Sequence, residues 1–146
     1  MEAYEQSELF GAGTPDHLLG EQEITKICEN FFAALPVDGK RVLFLVPDNT
    51  QSCPLDIIFR HLYRCIAPRV ETVDIMIALG THPAMSTREI EQRLGITSQE
   101  RECDFPKARF FNHAWDDQDQ LTHLGRIRKD VLHEMTGGLF ELNIEV

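Results

Sequence analysis

The sequence lacks any apolar run long enough to cross a lipid bilayer, and its first residues lack the basic segment and following apolar segment of a secretory signal. These absences argue against an integral membrane protein and against export. They lead us to expect a soluble, cytoplasmic protein. The 146 residues suffice for one domain with a single hydrophobic core.

Basic residues are scarce as well. The chain has 14 Lys and Arg residues against 24 Asp and Glu residues, which gives a formal net charge of −10. Binding to nucleic acid needs a clustered basic surface that neutralises phosphates. We therefore expect no nucleic acid partner.

The cysteines form no metal or redox motif. They stand at positions 28, 53, 65 and 103, and no two of them make a C-x-x-C pair. Cys28 and Cys65 fall among apolar residues at helical spacing, so we predict reduced core thiols there. The common nucleotide-binding, zinc-protease and serine-hydrolase motifs are also missing, which argues against those three functions.

The chain does contain alternating helical and strand patterns. Residues 1–20 show little periodicity and are predicted to be a tail or arm, whereas residues 21–146 are predicted to form one domain. The apolar spacing predicts helices over residues 21–35, 55–66 and 87–94, strands over residues 41–47, 73–79 and 109–113, and a further strand within residues 139–146. The run 42–46 is continuously apolar, which indicates a strand buried on both faces.

This alternation predicts right-handed βαβ units on a mostly parallel sheet, that is, an α/β fold with a Rossmann-like three-layer arrangement. In open α/β sheets, ligands bind beyond the carboxyl ends of the strands. Three polar clusters follow predicted strands, at residues 48–52, 80–82 and 112–113. We therefore expect the functional site at this edge of the sheet.

His82 is the leading catalytic candidate. It lies just after the second predicted strand and before a helix whose start, Ser86 with Glu89, has the form of a capping box. A histidine in such a loop can act as a general acid or base near neutral pH. The pattern leaves open the alternative that His82 only hydrogen-bonds its own turn.

Two other clusters allow two interpretations each. Residues 48–51 could hold a carboxylate or a phosphate at a helix N-terminus, or could simply cap that helix. His113 with Asp116, Asp117 and Asp119 could bind Mg²⁺ or Ca²⁺. Because the spacing of a known calcium loop is missing, a solvated acidic loop is the favoured interpretation of that stretch.

Three segments resemble the lactate racemase family. Asp48-Asn49-Thr50-Gln51-Ser52-Cys53-Pro54 is similar to that family's Asp-x-Thr-Arg-Pro-x-Pro motif, and residues 78–90, with Gly80-Thr81-His82, resemble its Gly-x-His stretch and helix start. Asn112-His113, the acidic residues 116–119 and Leu124-Gly125 resemble the segment that follows. The resemblance covers roughly residues 43–125 and is most specific around His82.

The resemblance implies the N-terminal domain of a two-domain isomerase with its active site in the cleft between the domains. Such enzymes racemise or epimerise 2-hydroxy acids with a nickel-pincer nucleotide that removes and returns a hydride. His82 would be the general acid–base residue on one side of the substrate, and a second histidine would come from the other domain. Thr50 and Gln51 would bind the substrate, and Asp48 would bind the cofactor.

Two departures from the family limit these expectations. Gln51 and Ser52 replace the Arg-Pro of the motif, and glutamine cannot supply the charge with which arginine holds a carboxylate. We therefore expect a polyol acid or another 2-hydroxy acid in place of lactate, or a different way of binding the substrate carboxylate. The cofactor-bearing lysine and the nickel-binding histidine belong to sequence after the matched part, so we expect this chain alone to be inactive and to bind no cofactor.

The expected partners are a small 2-hydroxy acid and a second domain, supplied by the same chain or by a partner chain. A homodimer is a further expectation, because a cleft face without its second domain would be apolar and exposed. The alternative function is a non-catalytic ligand-binding or assembly domain of the same fold.

Overall fold

The computed structural model describes residues 10–146, which form two compact units, one ending at His113 and the other spanning Ala114–Val146. Of the predicted tail, residues 1–9 lie outside the described residues, and residues 10–20 carry one isolated bridge between Thr14 and His17. Residues 114–146, which we predicted within the same domain as residues 21–113, form the second unit. No helix between residues 10 and 146 is long and apolar enough to span a membrane.

The first unit is a parallel α/β structure. In chain order its elements are α1 Glu21–Ala33, β1 Arg41–Pro47, α2 Leu55–Ile66, β2 Thr72–Ala78, α3 Thr87–Arg93, α4 Ser98–Cys103 and β3 Ala108–Asn112. The strands pair in the order β1-β2-β3, and both pairings are parallel. The predicted α/β fold with a parallel sheet is confirmed.

Local sequence signals set the helix boundaries. The predicted capping box at α3 is present, because the Ser86 hydroxyl accepts from the Glu89 amide at 3.3 Å and the Glu89 carboxylate accepts from the Ser86 amide at 2.7 Å. Gly95 follows α3 with a φ of +63°, as a terminating glycine does. Helix α4 was not predicted, although Thr97 and Glu100 form the same capping box at its start.

The hydrophobic core lies on one face of the sheet only. Strand residues Val46, Val73, Ile75 and Ile77 are buried on that face, beneath helices α1, α2 and α3. The prediction that residues 42–46 are buried on both faces is wrong, because Leu45 on the other face is 67% exposed. The described residues of this unit therefore form two layers where three were predicted.

The second unit contains a 3₁₀-helix Gln118–Gln120, β4 Arg126–Ile127, α5 Lys129–Met135 and β5 Ile144–Glu145. Strands β4 and β5 pair antiparallel. The strand predicted within residues 139–146 is therefore reduced to two residues, and α5 was not predicted. Most apolar side chains of this unit are exposed, and Leu132 alone among its described apolar residues is buried.

Substitution of Gly95 tests how closely the C-terminal end of α3 packs against α2. A Cβ added there would lie 2.7 Å from the Cβ of Asp56, in addition to the strain of a positive φ. We expect Gly95→Ala to lower the free energy of unfolding by about 2 kcal/mol or more in urea denaturation.

Gly39→Ala is the matched control. Gly39 has a similar φ of +68°, but no atom lies within 4 Å of an added Cβ. This substitution carries the backbone strain alone, about 1 kcal/mol. Equal losses for the two variants would contradict the close packing of Gly95 on Asp56.

Candidate active site

The loops after the three strands emerge at one edge of the sheet. The register sets Pro47 of β1 opposite Ala78 of β2, and Ile77 of β2 opposite Asn112 of β3. Because the strands are parallel, the residues that follow each of them are brought to the same edge. Two of the three clusters predicted there meet through direct side-chain contact.

The central contact is a hydrogen bond between His82 and Asp48. The distance from His82 Nδ1 to Asp48 Oδ2 is 2.5 Å. Asp48 is only 2% exposed, whereas the His82 side chain is half exposed. A buried carboxylate therefore supports an imidazole ring that reaches the surface at the edge of the sheet.

Thr50 holds the other oxygen of the same carboxylate. Its hydroxyl donates to Asp48 Oδ1 at 2.6 Å, and its backbone amide donates to the same atom at 3.0 Å. The hydrogen bond from the Thr50 hydroxyl, followed by the one from His82, lowers the pKa of Asp48 to about 2. Asp48 is therefore ionised throughout the pH range in which an imidazole titrates.

An ionised Asp48 decides the tautomer of His82. A carboxylate without a proton can only accept a hydrogen bond, so Nδ1 carries the proton that joins the two residues. In neutral His82, Nε2 is then the basic nitrogen. The arrangement of carboxylate, oriented imidazole and basic nitrogen suits a general acid–base group.

Asn112 holds the loop that carries His82. Its side-chain amide donates to the Met85 carbonyl at 2.8 Å, and its side-chain carbonyl accepts from the Met85 amide at 3.0 Å. The loop begins with Gly80, whose φ is +60°, and with a turn in which the His82 amide donates to the Leu79 carbonyl at 3.0 Å. The sequence pattern predicts Asn112 at this edge but gives no sign of its contact with the His82 loop.

Arg93 of α3 holds the loop of residues 48–53 through hydrogen bonds to its backbone. This guanidinium donates to the backbone carbonyls of Gln51 at 2.8 Å and of Pro47 and Cys53 at 3.3 Å each. Gln51 itself is exposed. The alternative that residues 48–51 cap the next helix is wrong, because α2 has Pro54 at its N-cap and no side-chain cap.

In the acidic stretch of residues 116–119, Asp117 caps the 3₁₀-helix. The Asp117 carboxylate accepts from the Asp119 amide at 3.1 Å and from the Gln120 side chain at 2.6 Å, at the start of the 3₁₀-helix. His113 donates its backbone amide to the Ile77 carbonyl. Across residues 10–146, no three His, Cys, Asp or Glu side chains come together in a way that could hold a metal ion.

Comparison with known proteins identifies the family. Residues 21–139 match the lactate racemase N-terminal domain. The chain belongs to this family. The match begins with α1 and ends at residue 139 within the second unit, so it extends further at each end than the resemblance found from motifs alone.

A solved structure has the same fold. A protein of Thermotoga maritima, known from a structural-genomics crystal structure, superposes with a TM-score of 0.72 at 29% sequence identity. The similarity covers 87% of this chain and 29% of that protein. The present chain therefore spans less than a third of the length of this relative. No curated protein matches the chain.

The Asp48–His82 contact of this lactate racemase N-terminal domain can be tested by ¹⁵N NMR of the histidine rings. In the neutral form of His82, we expect the proton to lie on Nδ1. Asp48→Asn replaces a pure acceptor by an amide that can also donate, so we expect the Nδ1–H preference to be reduced.

Glu23→Gln is the control for this measurement, because Glu23 contacts the exposed ring of His17 at 2.9 Å and lies outside the site. It should leave the His82 signals unchanged. An Nε2–H tautomer of His82 in the unsubstituted protein would contradict the assignment.

Asn112 can be tested by amide hydrogen exchange. Asn112→Ala removes the acceptor of the Met85 amide, and the loss of about 1 kcal/mol should speed its exchange roughly fivefold. The Leu94 amide, which donates to the Ile90 carbonyl at 3.0 Å at the C-terminal end of α3, is the internal control. Equal acceleration at both amides would indicate general destabilisation and not a loosened His82 loop.

Proposed function

We propose that this domain supplies one of the two proton-transfer groups of a racemase or epimerase of 2-hydroxy acids, and that His82 is that group. The hydrogen bond between Asp48 and His82, in a chain of the lactate racemase N-terminal domain family, is the observation that carries the proposal. Inversion of a stereocentre needs proton-transfer groups on two sides of one carbon. The second group would come from another domain.

The chemistry of His82 follows from its contact with Asp48. Nε2 accepts the proton of the substrate 2-hydroxyl, and Nδ1 keeps its proton toward Asp48 throughout. The resulting imidazolium is stabilised by a carboxylate that stays ionised. In an inverting turnover the second group returns a proton to the substrate oxygen, and His82 keeps the proton it took until it gives it to solvent or, in the reverse direction, to a substrate of the opposite configuration.

Asp48 fits a positioning role better than the cofactor contact expected from the family. Both of its oxygens accept hydrogen bonds from within the domain, and it is buried. Its task would be to orient His82 and fix its tautomer. Thr50 and Gln51 are exposed at the same edge and remain the proposed substrate contacts.

Gln51 narrows the class of substrate. A glutamine side chain can bind a hydroxyl or a carboxylate oxygen through its amide, but it cannot provide the paired, charged contact of an arginine. We therefore propose a 2-hydroxy acid other than lactate, such as a polyol acid whose additional hydroxyls could bind a neutral amide.

The nickel-pincer nucleotide of the family would supply the acceptor for the substrate hydride when bound. In the family, the lysine that carries the nucleotide and the histidine that binds its nickel belong to sequence after the part that this chain matches. Its attachment and its nickel would therefore depend on polypeptide outside residues 10–146. Residues of this chain would face the substrate hydroxyl.

The proposal predicts that His82→Ala slows racemisation. In the cofactor-loaded protein that contains this domain and its second domain, we expect kcat for a responsive 2-hydroxy acid to fall roughly 10²–10⁴-fold, the usual contribution of a general acid–base group. Circular dichroism at the substrate stereocentre measures the rate.

His17→Ala is the matched control, because His17 also pairs with a carboxylate, Glu23, but lies outside the site. It should leave kcat unchanged. Unchanged turnover of His82→Ala would disprove the catalytic role.

The neutral Gln51 also favours a second candidate, a domain that binds a hydroxy acid without catalysis. Calorimetry with the folded chain and a panel of 2-hydroxy acids tests this candidate. It predicts binding that His82→Ala weakens, together with no racemisation by the cofactor-loaded protein. Absence of any heat of binding would argue against it.

A further inference from the structure

Two of the free cysteines lie in the helices α1 and α2, which pack against each other on the sheet. Cys28 belongs to α1, and Cys65 belongs to the last turn of α2. Cys28 is buried in the hydrophobic core, and Cys65 is partly buried and packs against the same core. The sequence predicts reduced core thiols at both positions, and neither thiol takes part in the candidate active site.

Two side-chain contacts define how α1 and α2 face each other. A hydrogen bond joins the Thr25 hydroxyl of α1 to Nδ1 of His61 in α2 at 2.8 Å. Further along, the Phe32 carbonyl of α1 accepts from the guanidinium of Arg69, which follows the end of α2. The partners are 36 residues apart in the first contact and 37 in the second. The contacts follow the same order along both helices, so α1 and α2 run parallel.

Cys28 and Cys65 lie between these two contacts, and their own separation is also 37 residues. Cys28 follows Thr25 by three residues and Cys65 follows His61 by four, the spacings that keep side chains on one face of a helix. Cα atoms on the facing sides of two packed helices can come within about 5 Å of each other. A disulfide joins Cα atoms about 4.4–6.8 Å apart. The two thiols therefore face each other at a separation that suits a disulfide.

The pKa values of the two thiols agree with this arrangement. Burial raises the pKa of Cys65, and the neighbouring Cys28 raises it further. Burial also raises the pKa of Cys28, with a smaller contribution from Glu29. Both thiols are therefore mainly protonated near neutral pH, and the pair stays reduced until an oxidant reaches it.

An oxidant can reach the pair through Cys65. This residue lines a groove of about 500 Å³ between α1 and α2, together with Glu29, His61 and Arg69. Cys28 is only 7% exposed. A small molecule that enters the groove therefore meets the sulfur of Cys65 first.

We propose that Cys28 and Cys65 are a modification site at which a low-molecular-weight disulfide, such as oxidised glutathione, forms a cross-link between α1 and α2. The Cys65 thiolate attacks one sulfur of the oxidant and releases one thiolate, which leaves a mixed disulfide on Cys65. The Cys28 thiolate then attacks Cys65 Sγ and releases the second thiolate. The protein loses two electrons, the oxidant is reduced to two thiols, and the two cysteine protons pass through solvent to the released thiolates.

The cross-link acts on the stability of the first unit and not on the proposed chemistry. Helix α2 begins next to the loop of residues 48–53, whereas Cys65 lies at the opposite end of this helix. The bond ties α1, with which the family match begins, to α2. A bond between residues distant in sequence stabilises the fold mainly because it restricts the unfolded chain.

Oxidation of the folded 146-residue chain tests the proposal. The chain is incubated with oxidised glutathione at about pH 8, where more thiolate is present than at neutral pH. The remaining thiols are then blocked with N-ethylmaleimide in urea and mapped by peptide mass spectrometry. We expect a peptide cross-linked between Cys28 and Cys65, and a melting temperature about 10 °C above that of the reduced chain.

Three variants separate the steps of the reaction. Cys28→Ala should stop it at a glutathione adduct on Cys65, and Cys65→Ser should abolish both the cross-link and the rise in melting temperature. Cys103→Ser is the matched control, because Cys103 is an exposed cysteine at the end of α4, and it should keep both. The ring signals of His82 should be the same in the oxidised and reduced chains.

Recovery of Cys28 and Cys65 as N-ethylmaleimide adducts, from a folded chain whose Cys103 has reacted with glutathione, would overturn the proposal. Cross-links between other cysteines of the native chain, or loss of the effect in Cys103→Ser, would also overturn it. Oxidation in urea is the reference for proximity. There the Cys28–Cys65 bond should form at least about tenfold more slowly, and equal rates would show that the fold does not bring the two thiols together. Circular dichroism establishes that each variant is folded.

Discussion

Parallel pairing of β1 with β2 is the constraint on which the candidate site depends. Asp48 and His82 are 34 residues apart in sequence, and each lies only a few residues beyond the end of its strand. The register that sets Pro47 opposite Ala78 brings both to the same edge of the sheet. An antiparallel pairing would place the two residues at opposite ends of the sheet, with no contact between them.

The buried carboxylate of Asp48 is stable only because the loop after β1 satisfies it. A carboxylate removed from water is costly unless it is paired and hydrogen-bonded. Thr50 supplies two of the required donors and His82 supplies the third. The same contacts that make burial tolerable also fix the orientation of the imidazole, so local stability and proposed chemistry share one set of hydrogen bonds. Arg93 and Asn112 hold the two loops from outside this pair.

The connectivity of the strands explains why one face of the sheet packs on the core and the other has no helix from this unit. Strand order fixes the side on which the crossover helices pack, and the apolar residues of the other face have no helix from this unit. The ion cluster of Arg41, Asp74 and Arg109 sits in the middle of that apolar face. The sequence of β1 is consistent with a strand covered on both sides, whereas the helices of this unit cover one side only.

The amino-acid sequence by itself determined the parallel α/β class, the strands β1 and β2, the capping box of α3 and the edge at which His82 lies, because these follow from residue spacing and from short-range hydrogen bonds. It also carried the family motifs. Tertiary structure alone decided that Asp48 supports His82, that Asn112 and Arg93 hold their loops, and that Leu43 and Leu45 lie on an open face. Those features depend on contacts between residues distant in sequence, and on the side of the sheet that each crossover takes, which residue spacing along the chain does not specify.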